Sequence, residues 1–458
     1  MEKDDLAGHT SSASSKLIHG GLRYLEYGEL RLVREALAER EVLLRLAPHL
    51  IRPLRFVLPH APHLRPAWMI RAGLLLYDGL ARHRSLPRSR AIVLAKDPAG
   101  ALLKPEFTRG FSYYDAWVDD ARLVVANARS AAQRGADIRT RTRCAEASRS
   151  SDGWKLRLSS GGGADENVTA AALVNATGAW VSAFARGTGA ARAMGGVKLV
   201  KGSHIVLADL YEGDYACLLQ NPDRRVVFLL PYARGLAAIG TTDVAVANPD
   251  ELPRASAEEI DYLCAAASRY CRRPIHARQV VHTWSGVRAL FDDGAPTLAS
   301  VTRDYHLLLD DAAAPVLSVY GGKITTYRKL AEHALARLKP FFPAMGSEWT
   351  AGEPLPGGDF SNFEELHARF RARYPVLDDR WLEALLRRHG SAAGAILDGV
   401  ETEQDLGTRF VDGLYGREVD YLRQFEWATT ADDILWRRTK TGLHARPDEV
   451  RRLDAYLT

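Results

Sequence analysis

Residues 315–338 read P-V-L-S-V-Y-G-G-K-I-T-T-Y-R-K-L-A-E-H-A-L-A-R-L. The opening P-V-L-S-V-Y predicts a buried strand, the run from Lys323 carries helical spacing, and Gly321 and Gly322 join the two. Paired glycines let a ligand approach the backbone closely. The free amides and positive dipole end of the following helix favour an anion or an electron-rich ring edge. Lys323, Thr325 and Thr326 would line that opening. On this motif alone, a plain strand-to-helix connector competes with a ligand-binding turn.

Working outward, short β-rich runs fill the chain from about Trp154: W-K-L-R-L, A-L-V-N-A-T-G, H-I-V-L-A-D, R-V-V-F-L-L-P-Y, L-A-A-I-G-T-T-D and Y-H-L-L-L-D. Residues 172–180, A-L-V-N-A-T-G-A-W, end a strand in small residues that permit close packing on a cofactor. Before this region, Leu30, Val33, Leu37 and Leu44 share one face of a predicted amphipathic helix. Beyond Pro340 the pattern turns helical again. W-L-E-A-L-L-R-R-H-G ends on a glycine stop signal, and D-D-I-L-W-R-R-T-K is entered through Thr429 and Thr430. The stretch Gly352–Gly358 reads as the linker. The whole is a mixed α/β body followed by a helical domain.

Composition sets outer limits. The chain has 458 residues, 47% apolar and 26% charged, enough for a large core. A net charge of +5 is too balanced for a dedicated nucleic-acid binder. The four cysteines lack metal-ligand spacing and are too few to staple the chain, which points to a reducing compartment. No secretory signal or run of 18 uncharged apolar residues is visible. Local charge is uneven, since residues 51–90 hold eight arginines against the single acid Asp78. Within them Pro66–Leu80 predicts a helix with Arg71, Asp78 and Arg82 on one face and Trp68 among the apolar remainder. Such a helix either lies on an anionic bilayer or packs on the core with its arginines solvated.

Cationic and titratable groups recur on turns: Lys16, His19, Arg23 and Tyr24 in S-S-K-L-I-H-G-G-L-R-Y, His204 in K-G-S-H-I-V, Arg288 in S-G-V-R and Arg303 in T-R-D-Y. Guanidinium forks grip phosphate, and an imidazole takes a hydroxyl proton near neutral pH, which suits a phosphorylated alcohol. Any one of these arginines also suits a surface ion pair.

These motifs occur in order with R-E-A-L-A-E-R-E-V-L-L-R-L-A-P-H, F-T-R-G-F-S-Y-Y-D-A-W-V-D-D-A-R-L, G-T-T-D and A-D-D-I-L-W-R-R-T-K. Together they resemble the FAD-dependent, membrane-associated glycerol-3-phosphate dehydrogenase family of aerobic bacteria, over essentially the whole chain. The resemblance implies a glutathione-reductase-like FAD-binding fold over residues 1–350. An antiparallel substrate domain is interleaved at about 50–110 and 195–310, and a helical C-terminal domain spans 351–458. That family begins with a strand, a G-x-G-x-x-G turn and a helix, and no G-x-G-x-x-G occurs in these residues. The implied fold thus lacks its first βαβ unit, about 30 residues with the amide cradle for the pyrophosphate.

By the same resemblance, Glu2 matches the acid that bonds the adenosine ribose. Further FAD contacts fall to Ser11, Ser12, Lys16, Leu17 and His19, to Thr177 and Gly178, and to Gly321, Gly322, Lys323 and Thr325. The implied reaction oxidises sn-glycerol 3-phosphate to dihydroxyacetone phosphate. Hydride goes to the flavin and electrons go on to a membrane quinone. His204 and Arg288 are expected at the hydroxyl, and Arg23, Tyr24, Arg303 and Lys323 at the phosphate. No metal is expected. The implied location is peripheral, at an anionic surface on the cytoplasmic side of the plasma membrane; a homodimer is a further expectation that no residue pattern supports. Two other readings stay open: a glycerophosphate oxidase using oxygen, and a flavin-free protein that only binds a membrane surface or partner.

Overall fold

The computed structural model describes residues 1–61, 64–81, 85–161, 163–189, 194–211, 213–223, 225–233, 235–294 and 304–458. Its centre is a large mixed sheet built around the strand Val197–Ala208. That strand pairs antiparallel with Val280–Phe291 on one edge and with Leu236–Gly240 and Val244–Val246 on the other. Gly202 to Leu207 are all buried, so the run shows no polar alternation, as a strand covered on both faces requires. The sheet continues through Val226–Pro231, Tyr215–Gln220, Ile51–His60 and Arg109–Val118 to the two-residue strand Leu17–Ile18.

This sheet differs in two ways from the expected antiparallel insert. Tyr215–Gln220 and Ile51–His60 run parallel, because the chain reaches the second strand only through a long excursion. Membership also extends to Val118, while Tyr305–Asp310 joins a different sheet. That small sheet has Val316–Gly321 at its centre, antiparallel to Tyr305–Asp310 and parallel to Leu173–Asn175. A third, antiparallel sheet comprises Thr142–Arg149, Trp154–Ser160 and Glu166–Ala170.

The helix Leu30–Leu46 buries Leu32, Val33, Leu37 and Leu43, but Leu30, its first residue, is exposed. The helix Ala67–Leu80 buries only Leu74 and Tyr77. Its outward face carries Trp68, Met69, Leu75 and Leu76, which are 71%, 41%, 53% and 46% exposed. No helix among the described residues is long and apolar enough to cross a membrane.

Residues 359–458 form a helical layer with one short hairpin, Arg409–Val411 with Leu414–Tyr415. The helix Asp379–His389 ends at Gly390 in the positive-φ region, as the glycine stop predicts. The D-D-I-L-W-R-R segment winds as a π-helix over Asp433–Arg438, with Asp433 accepting from the Thr429 and Thr430 amides. The expected linker is packed rather than free. Leu355 is buried and bonds the Leu46 carbonyl, and a side chain on Gly357 would collide with the His389 carbonyl.

Buried ion pairs fasten this layer to the body. Arg438 grips Asp5 with two bonds of 2.8 Å. Arg122 holds Glu426 in a bidentate pair, and Arg141 reaches Asp433 at 2.7 Å. Lys440 pairs with Asp119. The Arg438–Asp5 and Arg122–Glu426 pairs are stripped of water, so deleting one partner there would leave an uncompensated buried charge.

Candidate active site

One segment, Ser11 to Tyr24, runs past both groups of candidate residues. At its start, Ser15 Oγ lies 2.9 Å from His204 Nε2. His204 is buried on its strand, between Gly240 and Trp284 in the neighbouring strands. The Trp284 indole stacks on the imidazole, with centroids 4.7 Å apart and planes within 9°. A Cβ at Gly240 would fall 2.0 Å from His204 Cδ2, so only glycine leaves the ring its place. Burial, reinforced by the Lys16 and Arg288 cations, holds His204 well below the usual histidine range. The ring is therefore held in its neutral form.

Arg288 lies in the strand next to His204. It donates to the Thr242 carbonyl at 2.9 Å and pairs with Asp243 at 2.8 Å. A side chain on Gly202 would collide with its guanidinium. Lys16 answers differently from the cofactor contact expected of it. Its ammonium is buried against Asp120 at 2.7 Å and against the Ser12 carbonyl, so its charge serves the loop. Leu17 is likewise core, in register with Trp117.

At the far end of the segment, Lys323 Nζ sits 3.7 Å from the centroid of the Tyr24 ring. The His19 amide donates to Thr325 Oγ1 at 3.2 Å, and burial lowers the His19 pKa despite nearby Asp115. Arg23 donates to the Tyr27 hydroxyl at 3.3 Å. The contacts of Lys323 with Tyr24 and of Thr325 with His19 bring these four residues to the glycine turn, whereas Arg23 contacts Tyr27 on its own segment. Arg303 lies outside the described residues.

The turn itself has the expected character. Gly321 and Gly322 have φ of 72° and 103°, and a side chain on Gly321 would press on the Asp304 carbonyl at 2.8 Å. The helix does not begin directly at Lys323. Ile324–Thr326 form a 3₁₀ turn ahead of the helix Tyr327–Leu338, and neither start has a side-chain cap. Uncapped amides at a helix opening are donors for a ligand. On the parallel neighbour, Gly178 has φ 58° with open space where a Cβ would be, and Thr177 bonds Asn175 at 2.7 Å. Backbone donors beside glycines open to close approach are the chemistry a flavin ring requires, and these residues fit it. Glu2 pairs its backbone with Arg139 and Thr142, and its carboxylate accepts from the Asp4 amide at 3.2 Å. Ser11 is exposed and Ser12 bonds the His9 carbonyl.

Sequence reasoning missed Ser15, Asp120 and Trp284 as parts of this site. Asp120 lay within the W-V-D-D motif, but its role depends on a contact across 104 positions of chain.

This arrangement is that of a flavin-dependent oxidoreductase. Residues 1–328 match the family model for FAD dependent oxidoreductases, and residues 349–455 match the C-terminal domain of alpha-glycerophosphate oxidase. The chain belongs to this FAD-dependent oxidoreductase family, whose cofactor is FAD. Among its relatives, the glycerol-3-phosphate dehydrogenase of Pseudomonas aeruginosa is 50% identical over 459 residues, covering 100% of this chain and 89% of that protein. The aerobic glycerol-3-phosphate dehydrogenase of Escherichia coli is 45% identical, with 100% and 91% covered. D-erythritol 1-phosphate dehydrogenase of Brucella abortus is 47% identical, with 97% and 89% covered. The FAD-complexed glycerol-3-phosphate dehydrogenase structure from Bacillus halodurans superposes with a TM-score of 0.74 at 22% identity, covering 100% of this chain and 88% of that one. This supports the mixed α/β flavoprotein fold expected from the sequence.

Proposed function

We propose that this chain oxidises sn-glycerol 3-phosphate to dihydroxyacetone phosphate and passes the electrons to a membrane quinone. Oxidation of a secondary alcohol removes a hydride from carbon and a proton from oxygen; bound FAD supplies the hydride acceptor. The chain's own residues have the remaining work. His204, neutral and buried, takes the hydroxyl proton, and Arg288 beside it favours the developing negative oxygen. Lys323, Tyr24 and Arg23 hold the phosphate, with Arg303 as a further cation. Glycine-flanked amides at Gly178 and Gly321–Gly322, with Thr177 and Thr325, hold the flavin. The domain division that goes with this reading is a flavin and substrate body over residues 1–350 and a helical domain from 351.

One observation carries the reading: a single segment, Ser11 to Tyr24, meets the His204 imidazole through Ser15 and the glycine turn through Tyr24 and His19. That stretch touches both the histidine read as the proton acceptor and the lysine read as a phosphate contact, which supports the reading. The names of two relatives, at 50% and 45% identity, support glycerol 3-phosphate as the substrate, while a third, at 47%, is named for D-erythritol 1-phosphate.

The membrane assignment is supported by the apolar outer face of the helix Ala67–Leu80. Its neighbouring arginines support it less, because several are already engaged: Arg55 with Asp97, Arg65 with Glu26 and Arg71 with Ser89. Arg82 and Arg84 lie outside the described residues. Comparing sn-glycerol 3-phosphate oxidation with a short-chain quinone and with oxygen, with and without anionic vesicles, tests the acceptor. Turnover with quinone, faster on vesicles, is expected. Turnover with oxygen alone identifies an oxidase.

A further inference from the structure

We propose that Ser15 fixes the tautomer of His204, with the proton on Nε2 and the lone pair on Nδ1, and that the buried Lys16–Asp120 pair holds Ser15 in position for this. The inference rests on the reading of His204 as the proton acceptor and specifies which ring nitrogen carries the proton at rest.

The two imidazole nitrogens have unequal surroundings. Nε2 is 2.9 Å from Ser15 Oγ, whereas Nδ1 is buried and has no hydrogen-bond partner among the described residues. A neutral imidazole carries one N–H. Placing it on Nδ1 would bury an unsatisfied donor, which folded proteins rarely tolerate, whereas a buried lone pair without a donor is less uncommon. The proton therefore belongs on Nε2, donated to the serine oxygen. The ring cannot exchange the two by flipping. Trp284 covers one face, and a strand neighbour without a side chain, Gly240, lies against its Cδ2 edge.

Ser15 is held by a knot that tolerates local strain. Lys16, which follows it, has φ 59° in the left-handed region that non-glycine residues rarely occupy. Three groups converge on Asp120 Oδ2: the Ser14 amide at 3.2 Å, the Ser14 hydroxyl at 2.6 Å and the Lys16 ammonium at 2.7 Å. The Lys16 amide in turn bonds Ser14 Oγ at 3.0 Å. The Trp284 indole donates to the Ser14 carbonyl at 3.2 Å, so the same knot sets both the hydrogen-bond partner of His204 and the ring stacked on it. Ser15, Lys16 and Asp120 are thus positioning residues that act through His204.

The test reads the tautomer directly. Nitrogen chemical shifts of the holoprotein labelled in histidine, with the His204 signals assigned by their loss in His204→Gln, should show protonated Nε2 and bare Nδ1. Ser15→Ala should convert them to a tautomer mixture and slow single-turnover flavin reduction by sn-glycerol 3-phosphate roughly tenfold to a hundredfold, with substrate affinity little changed. Ser15→Thr should restore both, and Asp120→Asn should reproduce the Ser15→Ala spectrum. A protonated Nδ1 in the unaltered protein, or an unchanged spectrum in Ser15→Ala, overturns the proposal. Failure of the underlying reading looks different: normal flavin reduction in His204→Gln removes the histidine from the chemistry, while the spectrum still reports its tautomer.

Discussion

His204 has a glycine where a strand neighbour would ordinarily carry a side chain. Gly240→Ala places a methyl group 2.0 Å from the ring, so the imidazole must move. We predict a loss of at least tenfold in kcat with the sheet intact, measured as turnover per bound flavin. Binding and proton transfer should separate in mutants, because a phosphate grip acts on ground and transition states alike. Lys323→Ala should chiefly raise KM, by tenfold or more if a charge-assisted bond of about 1.5–3 kcal/mol is lost. His204→Gln should chiefly lower kcat, by roughly a hundredfold. Equal effects on both constants in both variants would refute this division. His204, Arg288 and Lys323 were legible in the sequence because they sit in collinear motifs. The surroundings of His204 were not: Ser15 and Trp284 at the ring, and Asp120 holding Ser14 and Lys16 behind it, become meaningful only when two strands and a helix start meet. Lys16 shows the converse, since a lysine in a ligand-like motif is spent on a buried aspartate.

The helix Ala67–Leu80 was readable as amphipathic, but the sequence assigned its faces by charge. In the structure Arg71 and Asp78 both turn to Ser89, Leu74 and Tyr77 go inward, and an apolar strip remains outside. Tyr77 also bonds Asp115 and accepts from the Gly20 amide at 2.8 Å, tying this helix to the site segment. Fully burying a large apolar side chain is worth roughly 1.5–3 kcal/mol. Replacing Trp68, Leu75 and Leu76 together by serine should therefore weaken binding to anionic vesicles at least tenfold in flotation, with turnover on a soluble acceptor retained. Undiminished binding would place the contact elsewhere. At the glycine turn, strand, glycines and helix were all legible, whereas the 3₁₀ opening was not, because it reflects how Thr325 packs on His19.

Across the whole molecule, the helical layer is held by charges without water around them. Its helical nature was legible from glycine stops and helical periodicity, but its attachment was not, since Asp5 and Arg438 lie 433 positions apart. Acid should unfold this layer first. Burial alone would raise the Glu418 carboxyl, but Arg388 and His389 hold it down at about 2, against 4.5 in the unfolded chain. A depressed carboxyl contributes stability that is present above pH 4.5 and lost as pH falls toward 2, about 3 kcal/mol in all. Limited proteolysis between pH 5 and 3 should cut first after residue 350, and Glu418→Gln should lessen the acid dependence of that cleavage without abolishing it, because Glu426 and Asp433 are also held below the usual carboxylate range. Uniform cleavage of both parts would show that the two unfold as one.

Oxidation of sn-glycerol 3-phosphate by this flavoprotein is read out by mixing the FAD-loaded protein anaerobically with that substrate. Complete bleaching of the flavin and one dihydroxyacetone phosphate formed per flavin are expected. Bleaching by D-erythritol 1-phosphate but not by sn-glycerol 3-phosphate, or no bleaching of protein that dithionite does reduce, would contradict it.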